Sequence, residues 1–278
     1  MASFLLALVF AVALWWLGTG IVLGLQQRLR AGGDAEEDPA AHGLALGVAA
    51  GVVGGIGALV WAGGHPGVLS SLGGFTAALI LWGALELSHY LGFVTGTHRD
   101  VCPDGARGWR RFRLAIVTSI WYELSVLGIG LALLALLHDA PNSAGLHTYL
   151  VLWLMRWSAK LNLFLGVPNF STEWFPRRLA HLASYIRRAP VSALFPVSLT
   201  LATLVAITLG RLALEAPGTR ALMHALPAAL LALAVVEHLF MALPVADTRL
   251  WNRVFGVRPA AGTGGATVPG SAEAGADV

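Results

Sequence analysis

The chain has 278 residues, of which 56% are hydrophobic and 12% charged, and its formal net charge is +3. An ordinary soluble domain carries about 25% charged residues, so the composition excludes that class. The positive balance does not indicate a nucleic-acid partner, because the arginines stand at the borders of apolar segments and form no single basic patch. The one cysteine, Cys102, excludes an intrachain disulfide.

Seven apolar segments are long enough to cross a bilayer as helices, which takes about 20 residues each. They are continuous runs of Leu, Ala and Val, unlike the alternating strands of a membrane barrel. We therefore predict an all-α, polytopic bundle of seven transmembrane helices. The predicted spans are Phe4–Leu25, Gly43–Trp61, Leu72–Val94, Leu114–Leu137, Leu146–Leu165, Ala193–Leu214 and Ala221–Leu243.

The spans belong to one predicted domain, residues 1–258, and a Gly- and Ala-rich disordered tail follows, residues 259–278. The first segment lacks a basic n-region and is longer than the core of a signal peptide, so we expect it to be retained. Arginines concentrate in the first, third and fifth loops and in the C-terminal region. Because cytoplasmic loops are rich in Arg and Lys, we predict a multi-pass protein of the bacterial inner membrane, with a periplasmic N-terminus and a cytoplasmic C-terminus.

The second span carries a glycine at every fourth position, which places four glycines on one helix face. Such a ridge predicts close packing against another helix, and a flat pigment could also lie against it. The ridge consists of Gly43, Gly47, Gly51 and Gly55.

The fifth loop contains a predicted amphipathic helix over about residues 172–188, with Ser171 or Thr172 as its cap. Its apolar residues fall on one side and its arginines mostly on others, as in helices that lie in the membrane interface. The helix is either an anchor or a docking face for a partner. The apolar positions are Phe175, Leu179, Leu182 and Ile186.

Four of the predicted spans carry ionisable residues towards their cytoplasmic side, and such residues inside a span mark a functional site by default. At 1.5 Å per residue they all fall about 5–15 Å below the cytoplasmic boundary. Agreement in depth predicts one shared polar layer facing the bundle interior. Its members are Glu86 and His89 in the third span, Glu123 in the fourth, Arg156 and Lys160 in the fifth, and Glu237 and His238 in the seventh.

Three interpretations of the layer stay open. The carboxylates and cations could form ion pairs that hold the helices together. The acids and histidines could instead ligate a di-iron centre, although this chain offers one Glu-x-x-His pair and three carboxylates where that centre uses two pairs and four carboxylates. The predicted metal ligands are Glu86, His89, Glu123, Glu237 and His238.

The third interpretation is a chlorophyll-type pigment. His89 or His238 would be the axial ligand to its magnesium, and Arg156 and Lys160 would meet a propionate or ring carbonyl of the pigment. A retinal protein is excluded, because it needs a lysine in the last span and the only lysine lies in the fifth. A transporter of pigment intermediates would leave the same residues in place, although the sequence shows no internal repeat.

The stretch Leu150–Phe170, LVLWLMRWSAKLNLFLGVPNF, resembles the PuhE family, the photosynthetic complex assembly proteins of phototrophic bacteria. The resemblance continues in Gly108–Arg113, Ser184–Pro190, Leu194–Val197 and Glu237–Phe240, and it covers the chain from the third span to the seventh. It implies an integral membrane assembly factor for the photosynthetic apparatus, which acts in reaction-centre or antenna assembly or in the handling of bacteriochlorophyll. The implied partners are membrane lipid and reaction-centre or light-harvesting subunits, or pigment-biosynthesis enzymes. It implies no catalytic residues. The alternative functions are a membrane di-iron oxidase or hydroxylase acting on a tetrapyrrole or lipid-soluble substrate, and a purely structural scaffold.

Overall fold

A computed structural model describes residues 2–31, 39–170 and 177–243. These residues form eight α-helices and one 3-10 helix, with no strand beyond an isolated bridge between Val167 and Arg188, so the all-α prediction is confirmed for them. All belong to the unit Met1–Val245, and the predicted tail lies outside the described residues. The helices are α1 (Ala2–Ala31), α2 (Pro39–Gly63), α3 (Val68–Tyr90), α4 (Gly108–Val117), α5 (Ile120–Leu137), α6 (Ala144–Leu165), the 3-10 helix (Arg177–Tyr185), α7 (Leu194–Glu215) and α8 (Thr219–Ala242).

Six of these helices are long and apolar enough to cross a membrane, namely α1, α2, α3, α5, α7 and α8, as far as the described residues go. The chain is therefore a multi-pass membrane protein. The predicted fifth span corresponds to α6, which has 22 residues. Arg156, Lys160 and Asn162 lower its mean hydropathy, so its composition alone does not make α6 a seventh span.

The predicted fourth span, Leu114–Leu137, is divided into two helices, α4 and α5. The carbonyl of Thr95 accepts hydrogen bonds from the N–H groups of Trp121 and Tyr122 at 2.9 and 3.2 Å, which satisfies donors at the start of α5. Gly96 lies so close that a Cβ there would collide with the last carbonyl of α4. The break thus depends on the loop before α4, and the apolar run itself has no Gly or Pro at the break, where Thr118 and Ser119 stand.

The close approach predicted for the glycine ridge is confirmed at two of its positions. A Cβ on Gly51 would lie 2.9 Å from the Cβ of Ala84, and one on Gly55 would lie 2.9 Å from the Cβ of Leu81. Both neighbours belong to α3, so these glycines let α2 and α3 pack tightly. The other two ridge glycines have no described atom within 4 Å of an added Cβ.

The helices differ in burial, and this identifies the centre of the bundle. The apolar window of α3 is 56% buried, whereas those of α1, α2 and α7 are 11% buried and expose large apolar side chains, as lipid-facing helices do. Phe75 and Leu81 of α3, Tyr149 of α6 and Leu226 of α8 are fully buried among the largest core residues. The ionisable residues of α3 and α6 therefore stand on central helices.

Candidate functional site

Arg156 of α6 is the centre of a polar contact between three helices. Its Nη1 donates to Oε1 of Glu86 on α3 at 2.8 Å, and the two side chains keep only 19% and 13% of their surface exposed. The hydroxyl of Tyr122 on α5 donates to the same oxygen at 3.0 Å. The guanidinium carbon lies 4.4 Å from the centre of the Tyr122 ring, within the range of a cation–π contact. We call Arg156, Glu86 and Tyr122 the arginine cluster.

Lys160 lies one turn further along α6 and forms a second cluster. Its ammonium donates to Oε1 of Glu123 and, at 2.8 Å, to the hydroxyl of Ser119. The Glu123 side chain is 7% exposed, whereas that of Lys160 is 37% exposed. We call Lys160, Glu123 and Ser119 the lysine cluster. The two clusters together neutralise two carboxylates with two cations, which removes most of the cost of placing charge inside a bundle.

His89 stands beside the arginine cluster at the end of α3. Its Nδ1 lies 3.1 Å from the carbonyl of Val94 and donates to it. Its ring centre lies 4.7 Å from that of Tyr122. This backbone bond occupies Nδ1 and orients the imidazole.

Glu237 and His238 of α8 have different partners, because adjacent residues on a helix diverge by about 100°. Glu237 accepts a 2.5 Å hydrogen bond from Nε1 of Trp15 on α1. Nδ1 of His238 lies 2.9 Å from the carbonyl of Ala234, and its Nε2 lies 3.0 Å from the hydroxyl of Ser158 on α6. A carbonyl oxygen only accepts, so Nδ1 is the donor in the bond to Ala234.

The predicted layer is thus arranged as separate contacts. Within the described ranges, no three His, Cys, Asp or Glu side chains converge where they could hold a metal ion. In this arrangement Glu86 and Glu123 each face a cation, which disfavours an added metal, and both ring nitrogens of His238 have protein partners. A role of these residues as metal or pigment ligands stays a prediction.

Two cavities flank Arg156. The first, of about 270 Å³, lies among α1, α3, α6 and α8, and its lining includes Glu86, Arg156, Glu237 and His238. We call it the Glu237 cavity. It is smaller than the ~300–1,000 Å³ typical of pockets for drug-sized ligands, so a whole tetrapyrrole would not fit inside it.

The second cavity, of about 240 Å³, lies among α3, the α4–α5 break, α6 and the 3-10 helix. We call it the Lys160 cavity. Its lining includes His89, Arg156 and Lys160 together with apolar side chains of the 3-10 helix. Arg156 therefore separates one cavity that contains carboxylates from one whose lining, among the described residues, contains none.

The 3-10 helix is held over the Lys160 cavity by hydrogen bonds to backbone carbonyls. Arg111 of α4 donates to the carbonyls of Phe164 and Tyr185 at 3.1 and 2.6 Å. Arg178 donates to the carbonyl of Leu91 at 3.1 Å. These bonds tie the segment to the ends of α3 and α6.

The predicted interfacial helix corresponds in part to this segment. Residues 171–176 lie outside the described residues, and the rest is a 3-10 helix that ends at Tyr185. Leu179, Leu182 and Ile186, predicted to share an apolar face, line the Lys160 cavity. Burial lowers the pKa of His181 and raises the pKa of Tyr185. The position of this segment in the membrane interface stays a prediction.

Four residues of the site were not predicted: Tyr122, Ser119, Ser158 and Trp15. Ser119 lies four residues before Glu123, so a search for polar pairs on one helix face would have found it. Trp15 carries no such signal, because its contact with Glu237 depends on how α1 packs against α8.

Comparison with known proteins places the chain in a family. The model of the family described as "Protein of unknown function (DUF3623)" matches residues 1–261. A relative described as an uncharacterized 30.4 kDa protein in the puhA 5′ region of Rhodobacter capsulatus is 35% identical over 243 residues, which is 87% of each chain. No solved structure matches the chain. The chain therefore belongs to the DUF3623 family.

Proposed function

We propose that this protein is an integral inner-membrane assembly factor for the bacterial photosynthetic apparatus, of the PuhE type. The observation that carries the proposal is the relative described as lying in the puhA 5′ region, which is 35% identical across 87% of the chain, together with the resemblance of Leu150–Phe170 to the PuhE family. The proposed partners are reaction-centre or light-harvesting subunits, or enzymes of pigment biosynthesis, within membrane lipid. The proposed task is to bring subunits or bacteriochlorophyll together.

The geometry of the polar clusters supports a holding role better than redox chemistry. A di-iron oxidase needs carboxylates that converge on one centre, whereas Glu86 and Glu123 face different cations. Ion pairs between α3, α5 and α6 also fit a structural scaffold. The two cavities beside Arg156 favour a protein that also binds a small ligand, in addition to holding its helices together.

We propose that the chain crosses the membrane seven times and that α6 is the fifth span. The N-terminus is then periplasmic and the C-terminus cytoplasmic. A helix of 22 residues is about 33 Å long, enough for the hydrocarbon core. Its two cations are paired with buried carboxylates on neighbouring helices, which lowers the cost of placing α6 in lipid.

The native cysteine tests this topology. Cys102 lies between α3 and α4, in a loop proposed to be cytoplasmic, and is half-buried. It should react in spheroplasts with a membrane-permeant maleimide and not with an impermeant one. The matched variant Cys102→Ser/Asp139→Cys places the thiol at an exposed position between α5 and α6 and should react with both. Equal reactivity of the two proteins towards the impermeant reagent would contradict the topology.

The functional test uses Rhodobacter capsulatus without its relative. Near-infrared absorbance of the membranes should show a loss of reaction-centre or light-harvesting complexes, and expression of this chain should restore them. The variant Leu204→Ala, which changes an exposed apolar position of α7, should restore the complexes as well as the unchanged chain does. Full complexes in the strain without the relative would overturn the proposal.

A further inference from the structure

The Lys160 cavity joins two kinds of surface. Apolar walls come from Leu163 and Phe164 of α6 and from Leu179, Leu182 and Ile186 of the 3-10 segment. The lining also includes polar residues, His89 at the end of α3 and Thr118 and Ser119 at the α4–α5 break. The cavity is partly open to its surroundings, so a longer molecule can extend out of it.

Among the described residues that line this cavity, all the formal charge is positive. Arg156 and Lys160 line it, whereas Glu86 lines the Glu237 cavity and Glu123 lines neither of the two. In the Lys160–Glu123 pair, 37% of the lysine side-chain surface is exposed, compared with 7% of the glutamate side-chain surface. A molecule that enters the cavity therefore meets the positive end of this ion pair, with the carboxylate behind it.

The cations also have capacity for another acceptor. An ammonium has three N–H donors, and the bonds to Glu123 and Ser119 use two of them. Arg156 has five N–H donors, and its bond to Glu86 is made by one nitrogen. His89 lines the same cavity and adds an imidazole ring. An anion can thus be bound without breaking either ion pair.

We propose that the Lys160 cavity binds the head of an anionic amphiphile, a single carboxylate or phosphate carried on an apolar chain. The head of the amphiphile contacts Lys160 and Arg156. The first methylene groups of its apolar chain pack against Leu163, Leu179 and Leu182. The volume of about 240 Å³ limits the enclosed part to the head and the adjoining methylene groups. Nothing in this proposal depends on the role in photosynthetic assembly.

The test is equilibrium binding of radiolabelled oleate to the purified full chain in a neutral maltoside detergent. Saturable binding of oleate, with oleyl alcohol at least about tenfold weaker, is expected, because charge-assisted hydrogen bonds are the stronger class. Competition by oleoyl lysophosphatidate distinguishes the two head groups. Binding of either anion supports the proposal, and binding of neither, or equal binding of the alcohol, overturns it.

Two variants locate the binding. Lys160→Gln/Glu123→Gln removes the cation together with its counterion, so no unpaired charge is left inside, and affinity for the anion should fall at least about tenfold. Leu182→Trp fills the apolar wall and should also weaken binding, whereas Leu204→Trp on the exposed side of α7 should not. Unchanged oleate affinity in Leu182→Trp, a variant that leaves both ion pairs intact, would overturn the proposal even if the double variant did not fold.

Discussion

Replacing Arg156 with methionine should destabilise the protein strongly, because it strips a buried carboxylate of its cation. Glu86 is 13% exposed, and its Oε1 accepts from Arg156 at 2.8 Å and from the Tyr122 hydroxyl at 3.0 Å. Methionine reaches about as far as Nε of arginine, so it keeps the packing of the stem. After the change, Tyr122 is the remaining donor to this oxygen among the described residues.

The size of the effect follows from the two interactions that the guanidinium makes. A hydrogen bond between charged groups contributes about 1.5–3 kcal/mol, and the cation–π interaction with Tyr122 adds about 0.5–2 kcal/mol. Together they suggest a destabilisation of about 2–5 kcal/mol, in agreement with the ~3–5 kcal/mol typical of removing one partner of a buried pair. The double variant Arg156→Met/Glu86→Met removes both charges and should lie within about 2 kcal/mol of the original protein.

Unfolding in detergent, followed by circular dichroism, measures these free energies in a double-mutant cycle. Glu215→Gln is the control, since it breaks the exposed 3.8 Å pair with Arg211 and should cost less than about 1 kcal/mol. The reasoning is refuted if Arg156→Met alone is as stable as the original protein. It is also refuted if removing Glu86 in addition recovers none of the lost stability.

Three further outcomes are expected. Gly55→Ala should cost about 1–3 kcal/mol of unfolding free energy, because the new Cβ would lie 2.9 Å from Leu81, whereas Gly54→Ala, with no described atom within 4 Å, should be neutral or slightly stabilising in the same assay. Gly96→Ala should lower the yield of folded protein, measured by size-exclusion chromatography, because its Cβ would overlap backbone at the α4–α5 break; an unchanged yield would contradict this. Burial holds the pKa of His181 below its ordinary value, so the unfolded chain binds the proton more readily and stability should fall as the pH drops below about 6.5. His181→Gln should make this fall shallower, and an identical pH profile of the unfolding temperature would contradict the assignment.

Span positions were predictable because apolar length is a strong signal in a sequence. The predicted spans Leu72–Val94 and Ala221–Leu243 match α3 and α8 within about four residues. The division of the fourth span was not predictable, since the residues that cause it, Thr95 and Gly96, belong to the preceding loop. The mean hydropathy of a stretch of sequence contains no information on contacts with a loop outside that stretch.

The ionisable residues of the site were predictable, but their uncharged partners and their pairing were not. Charge inside a span identified Glu86, Arg156 and Lys160, and equal depth predicted that they lie near one another. The choice of partner depends on the rotation of each helix about its axis, which only packing determines. Glu237 shows this most clearly, since it lines a cavity together with Glu86 and Arg156 and yet bonds to Trp15 of α1.

The central claim is that the protein acts in assembling photosynthetic complexes. Its most direct test is the fraction of newly made reaction-centre polypeptide that enters the native complex, measured by pulse labelling and native gel electrophoresis. Rhodobacter capsulatus without its relative would be compared with the same strain expressing this chain. We expect equal synthesis of the polypeptides in both strains and a lower assembled fraction without the chain. An equal assembled fraction in the two strains would contradict the claim.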